Sequence, residues 1–421
     1  MKNRTIQSIL TPLILFGLIS CQGNYASKSE DELMKKAKEI HARILTIDTH
    51  DDIPPTFATD EVDPGVDGSR QVDLPKMKSG GLDVAFFIVY VGQTERTPEN
   101  YQEAKDAAMV KFNAIHRMTE EMYPDKIELA HSADDIERIN QSGKLVACIG
   151  IENGYVIGKD LSLLQKYYDL GARYITLAHG GHNDICDSAT PRENLGDGES
   201  EHNGVSEFGK EVIAEMNRLG IMVDVSHISK KAMLDAVALT KSPVIASHSS
   251  ARALCDHPRN LDDEQLLALK ENGGVMQTVA FRRYVKEDVP EKIAARDSIW
   301  EAMGITSFSA LRDLSDEKRT EYRASLSELD EKWPSANVKD FVDHIDHAVK
   351  LIGIDHVGIS SDFDGGGGVD GWNNAGESLN LTVELVRRGY SEEDIAKLWG
   401  GNLLRVLREN ERIAKELQTS S

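Results

Sequence analysis

Three single histidines follow short apolar runs of the chain, and they are the residues most able to do chemistry. His50, His227 and His248 each end a run dominated by Val, Ile, Ala and Thr. Neutral imidazoles are the nitrogen ligands that Zn²⁺ takes in proteins. One such histidine usually belongs to the core, but three in the same position relative to an apolar run indicate a metal site.

Two carboxylates complete the candidate ligand set. Asp52 lies two residues after His50, and Glu152 stands between Gly150 and Gly154. Residues i and i+2 on a flat strand lie about 7 Å apart, so a shared ion requires a bent strand end at His50 and Asp52. Imidazoles with carboxylates favour Zn²⁺ over Ca²⁺ or Mg²⁺, which prefer oxygen ligands.

Five ligands exceed the three that one catalytic zinc takes from a protein. A carboxylate shared between two ions resolves the count. We therefore predict two Zn²⁺ per chain, with His50 and Asp52 on one ion, His227 and His248 on the other, and Glu152 bridging them.

The elements that must position these residues alternate along the chain. Eight apolar, β-prone runs are separated by segments with helical periodicity. The predicted strands are 43–48, 84–91, 145–151, 174–178, 221–225, 243–247, 275–281 and 357–361. The principal predicted helices are 99–122, 161–170, 208–219, 230–240, 262–271, 338–351 and 402–417.

Strands that are apolar throughout and separated by helices indicate a parallel sheet covered on both faces. Eight of them predict an α/β fold, a closed (β/α)₈ TIM-like barrel, and the candidate residues stand where strand ends meet at one mouth. An open doubly wound sheet is the second choice, since no Gly-rich phosphate motif follows the first strand. Residues 282–334 are predicted to be a helical insertion before the last strand, which either narrows the pocket or builds a homodimer contact.

Composition limits the partners. The chain has 421 residues and a formal net charge of −22, so we expect no attraction to nucleic acid or anionic lipid. Cys148, Cys186 and Cys255 form no CxxC pair, and the sequence leaves a disulfide among them open.

The N-terminus has the features of an export signal. Lys2 and Arg4 precede an apolar stretch at 9–19, and small residues precede Cys21, as in a bacterial lipobox. We predict a signal peptide at 1–21, lipidation of Cys21, a polar tether at 22–30 and one barrel domain at 31–421. The protein would then lie in the bacterial cell envelope, in contact with the membrane only through its lipid anchor. The alternative is an ordinary secretory signal and a periplasmic or secreted protein.

Beyond these separate patterns, the chain resembles the membrane (renal-type) dipeptidases, zinc peptidases of the amidohydrolase-like barrel group. The similarity runs over about 44–407 and matches in order and spacing. The motifs that carry it are Asp48-Thr49-His50-Asp51-Asp52, Gly150-Ile151-Glu152-Asn153-Gly154, Leu177-Ala178-His179, Asp224-Val225-Ser226-His227, Ala246-Ser247-His248-Ser249, Pro258-Arg259-Asn260, Ser361-Asp362-Phe363-Asp364-Gly365 and Asn402-Leu403-Leu404-Arg405-Val406.

The resemblance implies the same five zinc ligands, together with His179 and Arg259 as substrate contacts and Asp362 as the catalytic acid. Arg259 is suited to hold a dipeptide carboxylate by a bidentate pair, although an arginine there is also typical of a protein surface. His179 is suited to donate to the scissile carbonyl oxygen, with His182 a rival in the same Gly-rich turn. Asp362 is suited to pass a proton to the leaving amine, and a polar glycine loop or a calcium turn is the alternative.

The activity implied is hydrolysis of dipeptides by a zinc-bridging hydroxide. Two alternatives remain. One is another amidohydrolase activity, on a cyclic amide or a lactone or as a deaminase. The other is a surface lipoprotein that binds zinc or peptide without turnover. The side-chain preference for the dipeptide stays open.

Overall fold

The fold is built on a parallel sheet that curls into a barrel. A computed structural model describes residues 22–306, 309–311 and 314–420. Its strands are β1 (Ile47–Asp52), β2 (Val84–Tyr90), β3 (Ile127–Leu129), β4 (Leu145–Glu152), β5 (Ala172–Thr176), β6 (Met222–Asp224), β7 (Ile245–Ser249), β8 (Val275–Val279) and β9 (Val357–Ser360). All of them pair in parallel in the order β1-β2-β4-β5-β6-β7-β8-β9, with β3 added beside β4.

The sheet closes between its first and last strands. The Asp52 N–H donates to the Phe363 carbonyl at 2.9 Å, and the Ser361 N–H donates to Asp48 Oδ1 at 2.9 Å. Eight parallel strands in a nearly closed ring, with helices outside, confirm the predicted (β/α)₈ barrel.

Helices connect the strands and surround them. They are α1 (Gln22–His41), α2 (Leu74–Gly80), α3 (Pro98–His116), α4 (Ala133–Gln141), α5 (Ser162–Asp169), α6 (Glu207–Leu219), α7 (Lys230–Leu239), α8 (Asp263–Asn272), α9 (Arg282–Val285), α10 (Pro290–Met303), α11 (Asp316–Lys332), α12 (Val338–Ile352), α13 (Ser378–Arg387), α14 (Glu392–Ala396) and α15 (Asn402–Thr419). Glycines in the left-handed conformation end two of these helices: Gly220 and Gly273 cap α6 and α8 with φ of 83° and 82°.

The barrel interior is apolar at the end opposite the predicted site. Val84, Val146, Met222, Ile245 and Val275, at or near the starts of their strands, are buried there in one cluster. A second and larger core lies between the sheet and the helices. Apolar side chains fill the barrel where the strands begin. The polar side chains of the predicted site are therefore found at the C-terminal ends of the strands.

The prediction for the first strand was wrong in its position. The predicted strand 43–48 is displaced to Ile47–Asp52 because α1 and its last turn continue to Ile44, whose N–H donates to the Ile40 carbonyl. His50 and Asp52 therefore lie on β1 itself. The register between β1 and β2 shifts between Asp48 and Asp51, which supplies the bend that two ligands at i and i+2 require.

Most described residues of the segment 282–334 are helical, as predicted, and form α9, α10 and α11. Asp330 anchors it by accepting from Arg282 Nη1 and from Lys292 Nζ, both at 2.7 Å. Arg282 also donates to the Asn373 side chain at 3.1 Å, which ties the insertion to the loop after β9.

At the N-terminus, residues 22–30 form the first half of α1, and the Glu30 carboxylate pairs with Arg387 of α13. Their role as a tether stays a prediction, and residues 1–21, including Cys21, lie outside the described residues. Within the described part of the chain, no helix combines the length and apolar character needed to cross a membrane. The three described cysteines are buried and free, so they form no disulfide with one another.

Candidate metal centre

The predicted ligands converge on the Glu152 carboxylate at the mouth of the barrel. Glu152 Oε1 lies 3.0 Å from His227 Nε2, 3.3 Å from His248 Nε2 and 3.6 Å from His50 Nε2. His50 Nε2 also lies 3.8 Å from Asp52 Oδ2. These five side chains come from β1, β4 and β7 and from the loop after β6, and all five are buried.

His227 occupies an unusual backbone position. Its φ of 68° places a residue with a Cβ in the left-handed region. This conformation brings the His227 Nε2 to 2.7 Å from the His248 Nε2. Such strain persists where the surrounding structure enforces it, and it is typical of functional sites.

Hydrogen bonds behind two of the imidazoles fix their tautomers. Tyr174 donates its hydroxyl proton to the Thr49 carbonyl at 2.9 Å, so its oxygen accepts from the His50 Nδ1–H at 3.0 Å. His50 therefore carries its proton on Nδ1 and points the Nε2 lone pair toward Glu152. Outer partners of this kind orient imidazoles that bind metal ions.

The tautomer of His248 is fixed in the same way. Ser247 Oγ donates to Asp224 Oδ2 at 2.7 Å and accepts from the His248 Nδ1–H at 2.8 Å. Asp224 also accepts from the Ser226 and Ser247 N–H groups. One buried carboxylate thus holds the backbone that carries both His227 and His248.

The electrostatics favour neutral imidazoles at His50 and His227 and a charged carboxylate at Glu152. Burial, followed by the nearby His248, lowers the pKa of His50 to about 4. Burial and the Arg259 guanidinium hold the pKa of His227 well below its usual range. Burial opposes ionisation of Glu152, but the surrounding imidazoles, His179 and His50 first, outweigh it and hold its pKa well below that of an ordinary glutamate.

This arrangement fits bound cations. His50 Nε2 and Glu152 Oε2 are fully buried and have no hydrogen-bond partner in the described part of the chain. Leaving such atoms unpaired is costly, and a divalent ion satisfies a lone pair and a carboxylate together. Two groups of ligand atoms within 4.8 Å of one another include Glu152, one with His50 and His248 and one with His179 and His227.

A third group of ligand atoms joins His50 and Asp52 to Asp362. Asp362 has a φ of 56°, again left-handed. Gly365 must lack a side chain here, because a Cβ would lie 2.1 Å from Asp362 Oδ1 and 2.3 Å from Asp52 Oδ2. Asp362 therefore lies directly beside the predicted metal ligands.

The centre opens into a cavity of about 380 Å³. Its lining includes Tyr90, Glu152, His179, Gly180, Thr190, Pro191, Arg192, His227, His257, Arg259, Phe281, Arg283, Tyr284, Asp362 and Gly365. Arg259, for which the sequence left a surface position open, is only 3% exposed and donates to the His248 carbonyl at 3.0 Å.

The structure also distinguishes His179 from His182. His179 Nε2 lies 3.6 Å from Glu152 Oε1 and lines the cavity. His182 instead accepts the Ser188 N–H on Nδ1 and bonds the Gly198 carbonyl through Nε2, which holds the loop after β5.

Sequence reasoning did not assign Tyr174 and Asp224, the two residues that orient the imidazoles. For Asp224 a signal existed, because a carboxylate inside the run Val223-Asp224-Val225 must be buried with partners. For Tyr174 no signal existed, since a tyrosine in a strand is an ordinary core residue.

Comparison with known proteins agrees with this geometry. The profile of the membrane dipeptidase family (peptidase family M19) matches residues 34–421. Dipeptidase tcpJ of Claviceps purpurea is 33% identical over 360 residues, covering 84% of this chain and 73% of that protein. Dipeptidase aclJ of Aspergillus oryzae is also 33% identical, covering 82% and 72%.

A solved structure is similar over nearly the whole fold. The probable dipeptidase PvdM of Pseudomonas aeruginosa is 35% identical with a TM-score of 0.80, covering 91% of this chain and 99% of that one. A metallopeptidase of Rhodobacter sphaeroides, liganded with a phosphinate mimic of L-Ala-D-Ala, shares the fold at 22% identity and a TM-score of 0.66, covering 87% and 99%. The chain therefore belongs to the membrane dipeptidase family, and it is a metallopeptidase of the class that hydrolyses dipeptides.

Proposed function

We propose that this protein hydrolyses dipeptides with two zinc ions that share Glu152. The observation that carries the proposal is the convergence of the His50, His227 and His248 Nε2 atoms on one buried carboxylate oxygen, at 3.0–3.6 Å. His50 and Asp52 would hold one ion, and His227 and His248 the other. When bound, such ions lower the pKa of water toward neutrality, and they polarise a carbonyl oxygen.

The protein's own side chains would position the substrate. The Arg259 guanidinium lines the cavity, and its Nε has no hydrogen-bond partner among the described residues, so it is available to bind the C-terminal carboxylate of a dipeptide. His179, 3.6 Å from Glu152, would donate to the scissile carbonyl oxygen as charge develops there.

Asp362 would transfer the proton that the leaving amine needs. It lies next to Asp52 at the floor of the cavity and is 5% exposed, so it could take a proton from the attacking nucleophile and deliver it to the departing amine. The products would be two free amino acids.

The test combines metal content with turnover. Protein stripped by a chelator should lose dipeptide hydrolysis and regain it at two zinc ions per chain. Asp362→Asn should lower kcat by about 10²–10⁴-fold, the range for general acid–base catalysis, while still binding two ions. Asp370→Asn, an exposed residue on the same loop, is the matched control.

Two results would contradict the proposal. A zinc-loaded protein that leaves dipeptides intact while hydrolysing cyclic amides or lactones would indicate another amidohydrolase activity. Unchanged turnover in Asp362→Asn would show that this carboxylate moves no proton in the rate-limiting step.

We also propose that the protein is exported and held at the membrane through lipid on Cys21. The support is the charged, apolar and small-residue pattern of 1–21. Fatty-acid labelling should mark the wild-type protein and should not mark Cys21→Ser. If neither protein is labelled, the lipid anchor is contradicted.

We propose a homodimer contact through residues 282–334 only because this insertion is long. Sedimentation in solution at several protein concentrations would test it.

A further inference from the structure

The cavity holds more positive charge than a neutral dipeptide requires. Three guanidinium groups line it, those of Arg192, Arg259 and Arg283. A dipeptide has one terminal carboxylate, which the proposed function assigns to Arg259. The acidic side chains of the lining, Glu152 and Asp362, lie at the metal floor and have roles there.

Arg192 is the most informative of the three. It is half-buried in the loop between β5 and α6. Its guanidinium makes no hydrogen bond and no ion pair with any residue that the structure describes. A half-buried cation without an acceptor, in a chain of net charge −22, is poised for an anion from outside the protein.

The loop holds this arginine firmly in place. The Arg192 N–H donates to Asp197 Oδ2 at 2.8 Å, and the Asp197 N–H donates back to the Arg192 carbonyl at 3.2 Å. The same Asp197 oxygen accepts from the His182 N–H at 2.9 Å. The loop therefore fixes the backbone of Arg192 beside that of His182, three residues after His179.

Gly180 makes the room for the guanidinium. A Cβ on Gly180 would lie 3.0 Å from Arg192 Nε and 3.1 Å from Arg192 Nη2. The Arg192 side chain thus lies against the backbone of the residue that follows His179, on the wall of the cavity and close to the proposed position of the scissile carbonyl.

We propose that Arg192 selects dipeptides that carry an acidic side chain, Asp or Glu, in addition to the terminal carboxylate. A guanidinium binds a carboxylate by paired, charge-assisted hydrogen bonds and gains little from an amide of the same shape. This inference rests on the proposed function, since it assigns the terminal carboxylate to Arg259 and the scissile carbonyl to His179.

The experiment measures kcat/KM of zinc-loaded protein on pairs that differ only in charge: Glu-Ala with Gln-Ala, Ala-Glu with Ala-Gln, and the Asp and Asn equivalents. In at least one pair the acid should be preferred by about tenfold or more. The ratio of kcat/KM for the acidic dipeptide to that for its amide partner should fall close to one in Arg192→Gln. In Arg192→Lys the ratio should stay above one but below the wild-type ratio. Arg412→Gln, a surface arginine of α15 paired with Glu409, is the control.

Each outcome decides the question. Turnover of Ala-Ala with no acid preference in any pair overturns this inference and leaves the proposed function standing, whereas no turnover of any dipeptide overturns the proposed function itself. A preference that survives intact in Arg192→Gln also overturns the assignment to Arg192. If Arg192→Gln does not fold, the Lys variant and weakening of the wild-type preference by salt provide the same test.

Discussion

At the scale of single residues, Tyr174 is predicted to control metal affinity without touching a metal ion. Tyr174→Phe removes the acceptor of the His50 Nδ1–H, so the ring can reorient and the Nε2 lone pair is no longer fixed toward Glu152. We expect zinc affinity to fall by about 10–100-fold, as when similar outer partners are removed. Competition titration with a chromophoric chelator measures it.

The control is Tyr167→Phe, which removes another buried tyrosine hydroxyl, one that donates to the Val156 carbonyl outside the site. It should leave zinc affinity unchanged. Equal zinc affinity in Tyr174→Phe and wild type would show that the hydrogen bond does not set the His50 tautomer.

Asp187 is predicted to make stability depend on pH in the acid range. Burial raises its pKa, but hydrogen bonds from Ser200 and from the N–H groups of Gly204, His202 and Glu201 outweigh this and lower it to about 2. A depressed pKa contributes stability above the unfolded value of about 3.9, and this contribution is lost as pH falls toward 2. The loop is partly open to solvent, so we expect about 1 kcal/mol.

The measurement is urea unfolding of the wild type and Asp187→Asn between pH 6 and pH 2. The wild type should be more stable above about pH 4, and the difference should shrink as the pH falls. Asp169→Asn, at an exposed carboxylate of α5, is the control. A difference that stays constant with pH would show that the Asp187 charge contributes nothing.

At the scale of elements, the sequence predicted the strands because each is apolar throughout and ends in a polar residue. It could not place the start of β1, since Ile44 and Leu45 suit a strand as well as the end of α1. It also missed β3, because three residues carry no periodicity. The convergence of the candidate ligands follows from the order of the strands and was predictable, whereas the tautomers of His50 and His248 depend on contacts between distant residues.

His344 shows how an element position changes the role of a residue. It lies among charged residues on α12, yet it is only 1% exposed. His344 Nδ1 accepts the Ala251 N–H at 3.1 Å and Nε2 bonds the Val285 carbonyl at 2.8 Å. Helix α12 thereby holds the loop that carries Arg259 against helix α9, which carries Tyr284.

We therefore predict that His344→Leu raises KM for dipeptides by about tenfold and lowers Tm, because two buried backbone groups lose their partners at about 1–3 kcal/mol each. Zinc content should stay at the wild-type value, which separates positioning of the pocket wall from the metal centre. His347→Leu, three residues along the same helix and paired with Asp263 near the surface, is the control. An unchanged KM would mean that the wall holds its position without α12.

At the scale of the whole molecule, the insertion and the barrel are predicted to be separable in stability. Asp330 holds the insertion by pairing with Arg282 and with Lys292, whose side chain is 7% exposed. Asp330→Asn leaves that buried ammonium with Asp288, at 3.4 Å, as its acidic partner and with the Ser335 hydroxyl as a neutral acceptor. Removal of a buried charged partner costs about 3 kcal/mol or more when nothing else compensates.

We expect the loss to open the insertion locally and to leave the barrel folded, because the barrel core lies between the sheet and its own helices. Limited proteolysis should then cut Asp330→Asn within 290–332 at least about tenfold faster than the wild type, while zinc content is retained. Asp297→Asn, whose carboxylate is 62% exposed, should be cut at the wild-type rate. Loss of zinc together with faster cleavage would instead show that insertion and barrel unfold as one unit.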